Sequence, residues 1–106
     1  MAYVEQRAYQ LVPANSTVNI DYVVPDGQAL EVQNMVLNTP TVNGETAIIC
    51  WDPAGANTIL MSCSGNSAGS YQGSFAGNGV KVMRITLINT ASIDQYMGAY
   101  FTGLQS

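Results

Sequence analysis

The residues that could do chemistry in this chain are two cysteines and seven carboxylates, because the sequence contains no histidine. Nucleophiles activated by imidazole and metal sites built on imidazole are therefore excluded. Cys50 and Cys63 flank a predicted hairpin in which Cys50 lies opposite Ile59 and Cys63 opposite Thr46. That register separates the two cysteines by about 13 Å and predicts two free, buried thiols. A tighter turn would place them face to face, but it would put Pro53 inside the ladder, which is unfavourable.

The carboxylates form no recognisable catalytic or metal-binding motif. Asp26 and Asp52 are explained as turn residues, and Asp21 and Glu31 fall on exposed strand positions. The alternating acidic loop of a calcium site is also missing. We therefore expect no catalytic residue, no metal site and no cofactor, and a protein that is not an enzyme. A small hydrolase acting through two carboxylates is the alternative. Its candidates are Asp21, Asp26, Glu31, Glu45, Asp52 and Asp94.

Charge excludes two classes of partner. The chain has a net charge of −4, and Arg7, Lys81 and Arg84 are its only cations. Three cations cannot form the basic patch that nucleic acid or anionic lipid requires. No apolar run approaches the roughly 20 residues of a membrane span, and residues 1–10 lack the pattern of an export leader. We expect no nucleic-acid partner, no membrane contact, and a protein that is either made and used in the cytosol or leaves it by assembly or lysis.

Aromatic residues are the remaining candidates for ligand binding, because their rings can stack on sugars. Tyr96 and Tyr100 are predicted to point outward from the last strand. A second candidate is the loop at 52–57 with its flanks, where Trp51, Asp52 and Asn57 could form a ligand loop together with the polar segment 64–70.

The elements that must position these residues are strands. Apolar and polar residues alternate in short runs separated by turn residues, and no segment has a helical period. Eight strands are predicted, at 3–12, 17–24, 29–38, 46–51, 58–63, 71–76, 80–89 and 93–102. The alternation of apolar and polar residues shifts by one position at Gln33–Asn34 and again between Val82 and Met83, which indicates β-bulges.

The strand pattern predicts an all-β fold, an antiparallel eight-stranded jelly-roll-like sandwich, with residues 1–106 as one domain. An immunoglobulin-like sandwich is the alternative, but it needs cysteines that bridge the two sheets around a Trp. Here the cysteines are only thirteen positions apart and Trp51 adjoins the first.

The central hairpin is apolar on both faces. Ala47, Ile49 and Trp51 share one face, while Ile48 and Cys50 share the other. A sandwich strand with one solvated face should alternate cleanly. We therefore expect a second subunit to cover the outer face of this hairpin, with a loop folded over it as the alternative.

Three segments carry a resemblance to a known class of protein. They are Val-Pro-Asp-Gly-Gln-Ala-Leu-Glu-Val at 24–32, Gly-Val-Lys-Val-Met-Arg-Ile-Thr-Leu-Ile-Asn-Thr at 79–90, and Met-Gly-Ala-Tyr-Phe-Thr-Gly-Leu at 97–104. With the hairpin between them, they resemble the small β-sandwich structural proteins of tailed-bacteriophage virions, such as head-decoration or cement proteins and tail accessory domains. The resemblance implies a non-enzymatic capsid decoration protein, often a homotrimer, that binds major capsid subunits in a virion assembled in the host cytoplasm.

Residues 1–10 are a candidate N-terminal arm, since Tyr3, Val4 and Tyr9 suit a strand added to an exposed sheet edge. The predicted oligomer or capsid interface comprises Tyr3, Val4, Tyr9, Ile48, Tyr96 and Tyr100. The alternative function is a carbohydrate- or receptor-binding β-sandwich module of a phage tail fibre or adhesin.

Overall fold

The computed structural model describes residues 1–106 and contains nine β-strands. They are β1 (Ala2–Val12), β2 (Ser16–Val23), β3 (Ala29–Asn38), β4 (Thr46–Trp51), β5 (Thr58–Cys63), β6 (Asn66–Gly69), β7 (Ser74–Ala76), β8 (Val82–Asn89) and β9 (Gln95–Gln105). All strand pairs are antiparallel. No helix in the structure has the length and apolar character needed to cross a bilayer.

The strands form two sheets. Sheet 1 has the order β1-β9-β3-β6, with β7 also paired to β3, and sheet 2 has the order β2-β8-β4-β5. Alternate residues of each strand point between the sheets, as in Met83, Ile85 and Leu87 of β8. These inward residues build a core of 18 buried hydrophobic side chains that both sheets share. The all-β sandwich predicted from the sequence is confirmed at this level.

The turns follow the residues that favour them. Gly27 closes the turn after Pro25 with a φ of +79°, a conformation that glycine adopts without a steric penalty. Asp52 and Asn57, at the two ends of the hairpin loop, also have positive φ values. Both are residue types that tolerate the left-handed region because their short polar side chains bond locally.

The nine observed strands differ from the eight predicted ones between residues 64 and 76 and in the bounds of the last two strands, which are Val82–Asn89 and Gln95–Gln105 rather than 80–89 and 93–102. Segment 64–70, predicted as a loop, contains β6, and the predicted strand at 71–76 is shortened to β7. The bulge near Gln33 is confirmed as a register shift between Val32 and Asn34. No bulge follows Val82, because β8 begins there and keeps an unbroken register with β2 and β4.

The hairpin of β4 and β5 has the predicted bounds, and Cys50 lies opposite Ile59 as predicted. Cys63 lies opposite Ala47 rather than Thr46, because the register shifts by one residue beyond Cys50. Both cysteines are free, as predicted. Cys50 is buried, whereas Cys63 is only half-buried.

The N-terminal segment predicted as an arm is part of the sandwich. Strand β1 pairs with β9 along its whole length, from Ala2 opposite Gln105 to Val12 opposite Gln95. Its inward residues Val4 and Ala8 belong to the core. Residues 1–10 are thus an edge strand of sheet 1 in this chain.

Candidate interaction surface

Four tyrosines lie on the outer face of sheet 1, which we call the tyrosine face. Tyr3 and Tyr9 project from β1, and Tyr96 and Tyr100 project from β9, because odd positions of β1 and even positions of β9 point away from the core. Tyr3, Tyr9 and Tyr96 are each about 60% exposed or more (63%, 68% and 59%). The structure thus brings together four of the six residues predicted for an interface.

Two of these rings stack. The ring centroids of Tyr9 and Tyr96 are 5.6 Å apart and the ring planes differ by 14°. The ring of Tyr9 lies over Gly98, its direct partner on β9. A Cβ at position 98 would come within 2.6 Å of Cδ2 of Tyr9, so glycine is needed for this close approach. The result is a flat aromatic platform in contact with solvent.

Arg7 supplies the positive charge of the tyrosine face. Its guanidinium lies 4.9 Å from the ring centroid of Tyr100, a cation–π distance. The Arg7 Nε also donates to a carboxylate oxygen of Glu5, and the Tyr3 hydroxyl donates to the other at 3.3 Å. The hydrogen bond from Arg7 holds the pKa of Glu5 below its ordinary value, and the same bond raises the pKa of Arg7. This face therefore carries a neutralised ion pair among aromatic rings.

A shallow hollow of about 290 Å³ lies beside these groups. Arg7, Tyr9 and Tyr100 line one side of it, and Val36 and Asn38 of β3 line the other. Rings, a guanidinium and a side-chain amide can bind a flat, hydroxyl-rich or amide-rich surface. Such a lining matches protein–protein interfaces, in which Tyr and Arg are enriched, and also sugar recognition.

The other two predicted interface residues lie elsewhere. Val4 is only 8% exposed and packs in the core. Ile48 is half-buried on the outer face of sheet 2, beside Thr86 of β8. The thiol of Cys50, on the same face, is covered by the chain's own hairpin loop, where it donates to Oδ1 of Asn57 at 3.1 Å. Burial raises the pKa of Cys50.

The predicted ligand loop is occupied by its own contacts. Trp51 is 6% exposed, and its ring lies 5.3 Å from that of Phe75 in the core. The Asp52 carboxylate accepts a hydrogen bond from the backbone N–H of Ala56 at 3.0 Å. The backbone carbonyl of Asp52 accepts one from the backbone N–H of Asn57 at 2.8 Å. In this structure Trp51 cannot stack on a sugar, and Asp52 closes the turn.

The environment of Glu45, which follows the Asn43–Gly44 turn, was not predicted from the sequence. This side chain is fully buried. One carboxylate oxygen accepts from the backbone N–H of Asn43 at 2.6 Å, and the other, like the side-chain oxygen of Gln95, has no partner. Burial raises the pKa of Glu45, but backbone hydrogen bonds, including the one from Asn43, outweigh it and lower the pKa overall. The Asn43–Gly44 turn that precedes Glu45 gave no indication in the sequence that the Glu45 side chain would be buried.

The acidic and thiol side chains are dispersed. No group of three or more of them gathers where it could hold a metal ion. Asp21 pairs with Arg84 through two hydrogen bonds of 2.7 and 2.9 Å, which lower the pKa of Asp21. Asp94 accepts from the backbone of Ala14 at 3.0 Å.

The comparisons with known proteins leave this surface to be interpreted from its own chemistry. No protein-family model matches the chain, and no curated protein is similar to it in sequence.

Proposed function

We propose that this chain is a non-enzymatic structural protein of a virion, a capsid decoration protein that binds major capsid subunits by surface contact. The observation that supports this proposal is the tyrosine face, where four tyrosines and the Glu5–Arg7 pair project from two neighbouring strands. Interfaces are enriched in Tyr and Arg and poor in unpaired charge. A face with this composition suits a broad protein contact.

The finer topology that we propose is the jelly roll. When β6 and β7 are counted as one interrupted strand, the chain has eight strands in the orders 1-8-3-6 and 2-7-4-5. The jelly roll combines two Greek keys of eight strands in two sheets. The interruption falls at residues 70–73, where a Ser/Gly-containing segment separates β6 from β7. Capsid and lectin domains both use this architecture, so topology alone does not choose between partners.

The capsid proposal is tested by cosedimentation of the purified protein with shells of the virus whose genome encodes it. We expect saturable binding that the pair Tyr9→Ser and Tyr100→Ser weakens at least tenfold, because both rings lie on the contact face. The matched control is Ile59→Ser, which removes an exposed apolar side chain from the outer face of sheet 2. Absence of binding, or equal losses in both variants, would contradict the proposal.

A carbohydrate- or receptor-binding module is the second candidate, and the hollow beside Tyr100 is the observation that favours it. Arg7 and Asn38 could donate hydrogen bonds to a sugar whose ring stacks on Tyr9 or Tyr100. A glycan array distinguishes the two functions. Saturable glycan binding that Tyr100→Ala abolishes, with no binding to shells, would favour the module over the decoration protein.

Assembly is part of the first proposal. A homo-oligomer that binds the capsid lattice in the host cytoplasm fits a surface that is rich in Asn, Ser and Thr and poor in charge. The resemblance to decoration proteins implies a trimer, whereas the edge strand β1 described below favours a dimer, and light scattering of the purified protein distinguishes the two.

A further inference from the structure

Strand β1 is a long sheet edge without the usual protection against pairing. It runs for 11 residues and pairs with β9 on one side only. Its register is unbroken, it contains no proline or lysine, and its two charges neutralise each other as the Glu5–Arg7 pair. Natural edge strands are usually short, bulged or protected by charge, because their free N–H and C=O groups pair with any strand that fits. This edge is therefore a template for a further strand.

The other edges of the sandwich are poorer templates. Strands β6 and β7 have four and three residues, and the register of β5 is interrupted next to Cys50. Strand β2 has eight residues, three fewer than β1, and Asp21 is its only charge, so pairing with a second copy of itself would bring no opposite charges together.

The outward side chains of β1 are symmetric about Gln6. On either side of Gln6 stand Glu5 and Arg7, which have opposite charges, and two residues further out stand Tyr3 and Tyr9. We infer that β1 pairs antiparallel with β1 of a second copy of this chain, with a two-fold axis at Gln6. The contact forms a dimer in which sheet 1 continues from one copy into the other.

The pairing places complementary side chains opposite each other. Glu5 of each copy faces Arg7 of the other, and Tyr3 of each faces Tyr9 of the other. Each pair occurs twice because the interface is two-fold. Opposite charges and aromatic pairs directly across two strands both stabilise a sheet. The tyrosine faces of the two copies then form one continuous surface.

Neighbouring registers lack this match. A slip by one residue would place outward residues of one copy opposite inward residues of the other. The core of one copy would then lie on the same side of the shared sheet as the tyrosine face of the other. A two-fold axis at Glu5 would set Glu5 against itself, and an axis at Arg7 would set Arg7 against itself. Among these registers only the axis at Gln6 faces each charge with its opposite.

Exchange of charges tests the register. Either Glu5→Arg or Arg7→Glu creates two like-charged pairs per dimer, so each should raise the dimer dissociation constant at least tenfold. An equimolar mixture of the two variants restores both ion pairs, and heterodimers of near wild-type affinity should form, as native mass spectrometry would detect. Thr17→Arg, which adds a charge to the edge strand β2, is the matched control and should leave the dimer unchanged.

Cross-linking tests the axis. Gln6 faces its own copy across the axis, where the Cα atoms of opposite residues lie about 4.5–5.5 Å apart, within disulfide reach. Gln10, also half-buried, faces Ala2 and lies about 26 Å from its own copy. In a Cys63→Ser background, Gln6→Cys should form a covalent dimer on oxidation and Gln10→Cys should not.

A monomer or a trimer at about 100 μM by light scattering, failure of the mixed charge variants to pair, or equal cross-linking at both positions would overturn the inference. The inference goes beyond the proposed function, because shell cosedimentation and dimer formation are measured separately and either can fail alone.

Discussion

Glu45 links a single buried residue to the pH dependence of the whole protein. Its carboxylate is fully buried, yet backbone hydrogen bonds lower its pKa from the ordinary value of 4.5. A carboxyl group with a lower pKa in the folded state stabilises the fold above its unfolded pKa, and this stability is lost as the pH falls through the folded pKa. Glu45 therefore stabilises the fold near neutrality and loses that effect below about pH 4.5.

The corresponding prediction concerns Glu45→Gln. Between pH 7 and pH 3 the free energy of unfolding of the wild type should fall, and the fall should be smaller in the variant, because its side chain binds no proton. Urea unfolding at the two pH values measures the difference. Asp21→Asn is the comparison, because the hydrogen bond from Arg84 also lowers the pKa of Asp21. The decreases in pH dependence caused by Asp21→Asn and Glu45→Gln should therefore add in the double variant. Parallel behaviour of Glu45→Gln and the wild type would contradict this assignment.

Individual positions show what local sequence could and could not predict. The alternation of β9 was sufficient to place Tyr96 and Tyr100 outward, because the strand period fixes the face of each residue. The stack of Tyr9 on Tyr96 was not predictable, because it depends on the register of two strands at opposite ends of the chain and on Gly98 between them. Burial of Trp51 likewise depends on Phe75, which a distant strand supplies.

At the scale of the element, β1 has a different role from the arm predicted for residues 1–10. A detached arm could be deleted without harm to the fold. Strand β1 instead contributes Val4 and Ala8 to the core and covers one edge of β9. We therefore expect deletion of residues 1–10 to lower the free energy of unfolding by at least about 3 kcal/mol, from lost apolar burial and lost backbone pairing.

Urea unfolding followed by circular dichroism measures this loss. The control is Tyr3→Ser, which alters the exposed side of β1 outside the stack of Tyr9 on Tyr96 and should change the free energy of unfolding by less than about 1 kcal/mol. A deleted chain that unfolds at the wild-type urea concentration would show that the segment is an arm after all.

Strands that carry their own pattern were predictable, and strands that depend on a partner were not. The hairpin of β4 and β5 was placed with its bounds because turn residues and alternation agree there. Strand β6 was missed because its Asn-Ser-Ala-Gly sequence has no strand preference, and its pairing with β3 alone holds it extended. The register of Cys63 was wrong by one residue for a related reason, since a bulge inside β5 has no signal in the sequence.

At the scale of the whole molecule, the order of strands brings the two ends of the chain together. Ala2 lies directly opposite Gln105, and the pairing of β1 with β9 closes nearly the whole chain into one loop. Such distant pairings are slow to form, because the entropy of loop closure is lost before any contact is gained. Closure of this loop is therefore the step that we expect to limit folding.

A circular permutant tests that expectation. A linker of about four residues can join the ends without strain, and new ends between Gln72 and Gly73 fall in the exposed segment that separates β6 from β7. Strands β9 and β1 then become neighbours in sequence. Reducing this loop from about ninety residues to fewer than ten lowers the closure cost by about 2 kcal/mol, so refolding should be faster by up to about 30-fold.

Fluorescence of Trp51, the single tryptophan, reports refolding in a stopped-flow instrument because its ring is buried against Phe75. The control is the linear chain with the same linker residues added at its C-terminus, which should refold at the wild-type rate. A permutant that keeps the sandwich but refolds no faster than this control would show that β1 joins β9 after the rate-limiting step. Strand β1 would then be the last element to join, and its outer edge would become available to a second copy only after the rest of the sandwich has formed.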